Sequence, residues 1–185
     1  MDLERDYVFK SERLGFRNWL KSDLPKMAKI SADPEVMEFF PATKSIKETE
    51  EFIARMQKEF NKRGYCYFAV DHLIDKEFIG FIGISNQDFD AEFTPCIDIG
   101  WRLSKSHWDK GYATEGAKRC LEFAFKKRKI IDIKAIAPVI NLKSEHVMKK
   151  IGMTKILTFN HSLLKHHKKL ITCTLYEIKN VNFAH

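Results

Sequence analysis

The sequence predicts an α/β domain built on a mixed β-sheet, and three of its patterns support this prediction. Between Cys96 and Leu103, apolar and polar residues alternate, which is the two-residue period of a strand. After Gly111 the apolar spacing becomes helical, with one face formed by Ala113, Ala117, Cys120, Leu121 and Ala124. The last two strand-like segments form a hairpin, so we expect antiparallel as well as parallel pairing in the sheet.

The first forty residues predict one strand followed by short helical segments. Residues Ser11–Arg17 alternate weakly and predict the first strand. Ser22 or Asp23 caps a helix that runs to about Ile30, with a proline tolerated in its first turn. A further helical turn is predicted for Asp33–Phe40, and the proline that follows ends it.

A clear helix start follows at Ser45. Ser45 and Glu48 have the spacing of a capping box, and Gly64 ends the helix. The predicted buried face of this helix comprises Thr49, Phe52, Ile53, Met56 and Phe60. Two strands, at 65–70 and 78–84, are predicted next and are joined by a polar turn.

The second half of the chain continues to alternate strands with helices. Its further elements are a strand at 131–137 that stops at Pro138, a helix at Asn141–Lys150, and strands at 154–159 and 170–179. The sequence contains no repeat and no linker. We therefore expect residues 1–185 to form one domain, with its core at about 11–179.

The composition is that of a soluble globular protein. Apolar residues make up 44% and charged residues 31% of the 185 positions, which excludes a disordered chain. No apolar segment approaches the about 20 residues that span a bilayer. The first six residues are too polar for a secretory peptide, so we expect a cytoplasmic protein.

Neither a disulfide framework nor a metal site is predicted. Cys66, Cys96, Cys120 and Cys173 are far apart and form no C-x-x-C pair, so we expect reduced, mostly buried thiols. Three histidines occur between His161 and His167, but no second cluster with metal-ligand spacing accompanies them.

The turn before the helix at Gly111 is a candidate anion site. The N–H groups of a first helical turn lack intrahelical partners, and the helix dipole favours a negative charge there. Gly111 permits backbone angles closed to other residues and lets a ligand approach the main chain. The net charge of +7 also suggests an anionic partner, such as a phosphate-rich cofactor, nucleic acid or the ribosome. The pattern predicts a diphosphate-binding turn, and it equally fits an ordinary strand-to-helix connection.

The order of these motifs resembles the GCN5-related N-acetyltransferase (GNAT) superfamily, within it the branch of ribosomal-protein N-terminal acetyltransferases. The similarity covers roughly Ser11–Lys179. The residues that carry it are Gly100-Trp101, Trp108–Glu115, Asn141-x-x-Ser144 and Val147–Met153, with Glu12-Arg13-Leu14 and Leu175-Tyr176. The resemblance implies the GNAT fold, a twisted mixed sheet whose middle strands are splayed and flanked by helices. It also implies transfer of the acetyl group of acetyl-CoA to an amine.

The resemblance further implies a set of cofactor-binding residues. The main chain of Lys110–Thr114 would hold the CoA pyrophosphate, and main-chain groups of Trp101–Leu103 would pair with the pantetheine amides by strand addition. Trp108 stands where the family usually has glutamine or arginine. The implied set is Trp101, Arg102, Leu103, Trp108, Asp109, Lys110, Gly111, Tyr112, Ala113, Thr114 and Asn141. Pro138 agrees with a slot between the strands because proline cannot continue sheet pairing, although it also simply ends a strand.

Two residues are candidates for the chemistry. Asp98 is the best carboxylate to accept the proton of the amine, directly or through water. By resemblance, Ser144 lies near the thioester sulfur as a proton donor, because Met148 occupies the position where many members have a tyrosine. Each residue also fits an ordinary role: Asp98 as an ion-paired strand residue, Ser144 as part of the core, and Asn141 as a helix cap.

The acceptor amine is not identified by the sequence. Residues 154–176 contain no carboxylate, which departs from the ribosomal acetyltransferases and weakens an assignment to ribosomal-protein termini. We expect the acceptor pocket between about Asp23 and Phe60 and near His161, a residue that a loop would also leave solvated. Homodimers are common in the branch.

Two other functions remain open at this point. One is a catalytically weak acyl-CoA-binding sensor. The other is a nucleic-acid-binding module at the lysine clusters 126–129 and 165–169, which we rank last because neither cluster is interleaved with aromatic residues.

Overall fold

An eight-stranded sheet organises the protein, and the computed structural model describes residues 6–183. The strands are β1 (Phe9–Lys10), β2 (Leu14–Arg17), β3 (Tyr67–His72), β4 (Phe78–Gln87), β5 (Cys96–Leu103), β6 (Asp132–Pro138), β7 (Thr154–Asn160) and β8 (Thr172–Lys179). The α-helices are α1 (Leu24–Ala32), α2 (Ile46–Arg63), α3 (Tyr112–Glu122) and α4 (Leu142–Lys150). A π-helical turn, Phe123–Lys127, continues α3.

The strand order is β1-β2-β3-β4-β5-β6-β8-β7, and the strands separate in the middle of the sheet. All neighbours are antiparallel except β5 and β6, which are parallel. These two strands pair at one position, Asp98 with Lys134. Beyond this position, β5 continues to Leu103 and β6 to Pro138 without pairing with each other, while β5 still pairs with β4 and β6 with β8. The predicted mixed sheet with splayed middle strands is therefore confirmed, including the terminal hairpin.

The helices cover both faces of the sheet. On one face α3 lies so close to β4 that a β-carbon at Gly116 would approach the Ile82 side chain to 2.3 Å. On the other face, Phe81 of β4 contacts the ring of Phe52 from α2, with 5.3 Å between the ring centroids. Side chains alternate between the two faces of β4, so one face packs against α3 and the other against α2.

A buried ion triad joins β2, β3 and the start of α1. The Arg17 guanidinium donates hydrogen bonds of 2.7 and 2.9 Å to Asp71, and of 2.7 and 2.8 Å to Asp23. Burial opposes the charge, but the two carboxylates raise the pKa of Arg17 above its ordinary value. The Asp23 carboxylate, predicted as a helix cap, therefore makes no capping bond to α1.

The N-terminal region differs from the prediction in two further places. Of the predicted strand at Ser11–Arg17, only 14–17 is extended, as β2; residues 11–13 form the turn that joins it to β1, and in this turn Ser11 and Arg13 bind Glu115. Residues 34–41 form successive turns rather than a regular helical segment: one i→i+4 bond, from the Met37 N–H to the Asp33 carbonyl at 3.0 Å, is followed by i→i+3 bonds at Glu38 and Phe40.

Candidate active site

Two adjoining cavities open where β5 and β6 separate. The α2-side cavity has a volume of about 530 Å³ and is lined by Phe52 and Arg55 of α2 together with Tyr67 and Asp98. The α3-side cavity has a volume of about 400 Å³ and lies at the start of α3 and along α4. The residues that line both cavities are Phe39, Phe40, Trp101, Arg102, Asn141 and Ser144.

The N-terminus of α3 has the backbone geometry of an anion site. Gly111 is the N-cap of the helix, with φ of 80°. Because glycine has no side chain, no side-chain hydrogen bond caps the helix. The first helical bond runs from the Glu115 N–H to the Gly111 carbonyl at 3.0 Å, so the N–H groups before it lack intrahelical partners. A β-carbon at Gly111 would have ordinary contacts, the nearest at 3.5 Å from Arg13. The positive φ, rather than crowding, therefore requires glycine.

Arg13 fixes this turn to the rest of the fold. Its main-chain N–H and its Nε donate to the two Glu115 carboxylate oxygens at 2.8 and 2.6 Å, and Nη1 donates to the Lys110 carbonyl at 3.0 Å. Partial burial opposes ionisation of Glu115, but the bonds from Ser11 and Arg13 hold its pKa below the ordinary value. The sequence analysis placed Arg13 and Glu115 within family motifs without giving either a role.

Trp108 connects the turn before α3 to the end of β5 by a hydrogen bond. Its indole Nε1 donates to the Leu103 carbonyl at 3.0 Å, and the Lys143 ammonium lies 4.6 Å from the centre of its ring. The Leu103 carbonyl thus already has a partner. Because main-chain groups alternate in direction along a strand, Trp101 faces the open edge of β5 as Leu103 does, whereas Arg102 faces β4. Of the predicted residues, Trp101 is therefore left for the pairing along this edge.

Asp98 belongs to a hydrogen-bonded cluster in the wall of the α2-side cavity. The Tyr67 hydroxyl donates to Asp98 Oδ1 at 2.5 Å, and Gln87 Nε2 donates to the same oxygen at 3.0 Å and to the Tyr67 hydroxyl at 2.9 Å. No hydrogen bond among the described residues involves Oδ2. Burial raises the pKa of Asp98 to about 6, and the bonds from Tyr67 and Gln87 oppose this rise.

Tyr67 and Gln87 are site residues that the sequence analysis did not identify. They lie on β3 and β4, and only the registered pairing of three strands brings them beside Asp98. One signal was available: a tyrosine within an apolar strand usually requires a partner for its hydroxyl.

The start of α4 forms the opposite wall of both cavities. Asn141 caps the helix, its Oδ1 accepting the Ser144 N–H at 3.1 Å, which confirms the ordinary role expected for Asn141. Ser144 lines both cavities, and Met148, one turn further along, is buried and lines the α2-side cavity. A thioether cannot donate a proton, so Ser144 is the candidate hydroxyl on this wall.

The predicted site residues converge with one exception. Asp98, Ser144, Asn141 and the predicted cofactor set line one or both cavities, but Lys110 lines neither. His161, expected near the acceptor, also lines neither cavity, and its ring stacks on Phe89 with centroids 4.1 Å apart.

Residues 6–183 show neither a metal-binding cluster nor a membrane-spanning helix. Over this range the structure contains no group of three or more His, Cys, Asp or Glu side chains that could hold a metal ion. None of the helices in the same range is long and apolar enough to cross a membrane.

Comparisons with known proteins agree with this geometry. A family model of the acetyltransferase (GNAT) domain matches residues 13–154. Among curated proteins, YkkB of Bacillus subtilis (strain 168) is 28% identical over 150 residues, which cover 81% of this chain and 82% of that protein.

Solved structures share the same architecture. A GNAT-family acetyltransferase from Bacillus anthracis has a TM-score of 0.76 and 25% identity, covering 93% of this chain and 98% of its own. RimL, a ribosomal-protein α-N acetyltransferase solved in complex with coenzyme A, has a TM-score of 0.74 and 15% identity over 94% of this chain and 98% of its own. The expected GNAT fold is confirmed, and this chain belongs to the acetyltransferase (GNAT) family as an acetyl-CoA-dependent N-acetyltransferase that acts on an amine.

Proposed function

We propose that acetyl-CoA lies in the α3-side cavity and that a primary amine enters through the α2-side cavity. The observation that carries this proposal is the meeting of the two cavities at Trp101, Arg102, Asn141 and Ser144, where β5 and β6 have separated. Each substrate would approach from its own face of the sheet. The acetyl group would be transferred at the junction.

The α3-side cavity supplies features that suit CoA. The unpartnered N–H groups at the start of α3 would bind the pyrophosphate, with Gly111 giving the required backbone angle. The open edge of β5 beyond Asp98 would pair with the pantetheine amides. The solved complex of RimL with coenzyme A, a protein of the same fold, supports acetyl-CoA as the co-substrate here.

Asp98 would act as the general base. Bound acetyl-CoA supplies an activated thioester carbonyl, which a neutral amine attacks to form an amide and release the CoA thiol. Oδ1 of Asp98 is held by Tyr67 and Gln87, so we assign proton acceptance, directly or through water, to Oδ2. With a pKa of about 6, the carboxylate is mostly ionised at neutral pH yet basic enough to take a proton.

Ser144 would return a proton to the departing CoA thiolate. Its position on the walls of both cavities places it at the junction, whereas Met148 has no proton to give. Holding the amine and the thioester in contact would supply a further part of the rate.

A screen for acetyl transfer tests this function. CoA thiol release is measured with N-terminal peptides, polyamines, amino acids and aminoglycosides, for the natural chain and for Asp98→Asn and Ser144→Ala. We expect release with at least one amine class and a fall in kcat of about 10²-fold or more for Asp98→Asn, without loss of CoA binding.

The second candidate is an acyl-CoA-binding sensor of the same fold, which the absence of a tyrosine at Met148 favours. Both functions predict that CoA raises the melting temperature. Thiol release separates them, because a sensor would bind CoA and release no thiol with any amine.

We further propose a cytoplasmic setting and a homodimer. The four cysteines are free thiols, and three of them are buried, which suits a reducing compartment. β7 forms one edge of the sheet and exposes Ile156 and Leu157, so it is the place where a second copy would pair. Light scattering of the purified protein measures its oligomeric state, and a mass of two chains is expected. We expect no role for nucleic acid, since neither basic cluster, 126–129 or 165–169, contains a phenylalanine, tyrosine or tryptophan on which a base could stack.

A further inference from the structure

Arg102 lies at the junction of the two cavities in an unusual environment. Its guanidinium is sandwiched between the rings of Phe40 and Phe81, at 4.3 and 5.3 Å from their centroids. It makes one hydrogen bond, from Nη1 to the Ser31 hydroxyl, and this bond is long at 3.3 Å. The Nε atom is fully buried and has no hydrogen-bond partner.

A comparison with the fully buried Arg17 shows which partners the half-buried Arg102 lacks. The Arg17 guanidinium is bound by two carboxylates, Asp23 and Asp71. No carboxylate of the described residues lies within 4.0 Å of Arg102, and burial lowers its pKa to about 10, which still leaves it cationic at neutral pH. A buried cation without an anion is costly, and an unsatisfied buried N–H adds to that cost.

Arg102 and Asp98 share one face of β5, four residues apart. At a rise of about 3.3 Å per residue, their α-carbons are separated by about 13 Å. Between them lies Gly100, over which the Tyr67 ring packs so closely that a β-carbon at Gly100 would be 3.1 Å from it. We call the β5 side of the α2-side cavity, from Asp98 to Arg102, its floor. This floor is therefore negative at Asp98 and positive at Arg102.

The remaining charges of this cavity do not alter that pattern. Lys44 and Glu48 form an ion pair at 2.9 Å and cancel one another. Arg55 and Glu51 line the mouth of the cavity, where both residues are exposed and screened by solvent. Charges at the two ends of the floor thus dominate the inner part of the cavity.

From this arrangement we infer that the acceptor is a primary amine that also carries a carboxylate. The carboxylate would bind the Arg102 guanidinium at Nη2, which is not among the fully buried atoms and makes no hydrogen bond within the described residues, and the amine would point towards Asp98. This inference rests on the proposed function and narrows its substrate class. A polyamine would instead bring a second cation against Arg102, so we expect polyamines to be poor acceptors.

Matched pairs of acceptors test the inference. Each of several amino acids is compared with its own carboxamide, which keeps the amine and removes the negative charge, and with a diamine of equal length. We expect kcat/KM to be at least about tenfold higher for the carboxylates, because the neutral analogues leave the buried guanidinium unpaired.

Variants of the cation assign the preference to Arg102. In Arg102→Gln the carboxylate-to-amide ratio should fall to about one, while protection of the fold by CoA is kept. Arg102→Lys keeps the charge without the planar fork and should retain part of the ratio. Arg55→Gln removes a cation from the exposed mouth of the same cavity and should change the ratio by less than about twofold.

Binding without turnover separates this inference from the function on which it rests. Calorimetry with CoA-loaded protein measures the affinity for the same acceptors. If carboxylates bind and Arg102→Gln loses that binding, but no thiol is ever released, the proposed function fails and carboxylate recognition stands. If amides or diamines are acetylated as well as carboxylates, or if Arg102→Gln leaves the ratio unchanged, carboxylate recognition is wrong.

Discussion

Asp98 connects the electrostatics of a single residue to the rate of the reaction. Its carboxylate accepts a proton only when ionised, and its pKa lies at about 6. We therefore expect kcat to fall about tenfold per pH unit below pH 6 and to reach a plateau above it. Asp98→Asn should lose this acidic limb together with most of the activity. The pH profile of kcat at saturating substrates measures both effects, and a profile unchanged in Asp98→Asn would exclude Asp98 as the base.

Tyr67 tunes the same carboxylate. Its hydroxyl stabilises the ionised form of Asp98, so Tyr67→Phe should raise the pKa of Asp98 and move the acidic limb of kcat to higher pH. Tyr65→Phe is the matched control, because the Tyr65 hydroxyl binds Asn86 instead, at 2.8 Å. An equal shift in both variants, or a shift to lower pH, would contradict the assignment.

At the scale of elements, the turn into α3 is the feature on which CoA binding depends in the proposed function. In Gly111→Val a β-branched residue must adopt a φ of 80°, which distorts the N–H groups that would meet the pyrophosphate. We expect this variant to lose the rise in melting temperature that saturating CoA gives the natural chain, a protection of about 2.7 kcal/mol at one hundred times Kd.

Gly152→Val is the control for backbone strain in that experiment. Gly152 has a similar φ of 87° and follows α4, but it lines neither cavity. It should lower the melting temperature of the free protein while leaving the protection by CoA intact. Equal protection in Gly111→Val and the natural chain would show that CoA does not use this turn.

Elements with strong local signals were predictable from the sequence, and those set by distant partners were not. The capping box at Ser45 and Glu48 forms as expected, since all of its contacts lie within four residues. Asp23 has an equally good local signal for capping, but its carboxylate is bound by Arg17, which also binds Asp71. Local propensity is outweighed there by a buried ion network.

The same distinction applies to the candidate site: its locally determined parts could be predicted from the sequence, and the parts that depend on distant residues could not. The backbone of the turn at Gly111 could be predicted, because a glycine with positive φ before a helix is a local property of the chain; that the turn binds an anion stays a prediction. The partners of Asp98 come from β3 and β4 and depend on strand register, which no local pattern records. Arg102 was predicted only for its main chain, and the structure adds a buried guanidinium that faces the acceptor side.

At the scale of the whole molecule, the proposed function places the two substrates on opposite faces of the sheet, and the stability of that sheet has a separate source. The ion triad of Arg17, Asp23 and Asp71 ties the strands β2 and β3 to α1, but it lines neither cavity. Its role is therefore the stability of the fold that holds the splayed strands, rather than the chemistry.

Removing one member of this triad leaves buried charge without a partner. We expect Arg17→Ala to lower the free energy of unfolding by about 3–5 kcal/mol, measured by urea denaturation. Arg119→Ala is the control, because the ion pair of Arg119 with Glu122 and its hydrogen bond to the Lys10 carbonyl are both at the surface and should together contribute less than about 2 kcal/mol. Acetyl transfer per folded molecule should be the same in both variants at a temperature where both are folded. If Arg17→Ala costs no more than Arg119→Ala, the triad is not what holds β2, β3 and α1 together. If it abolishes transfer in folded protein, its influence reaches the site.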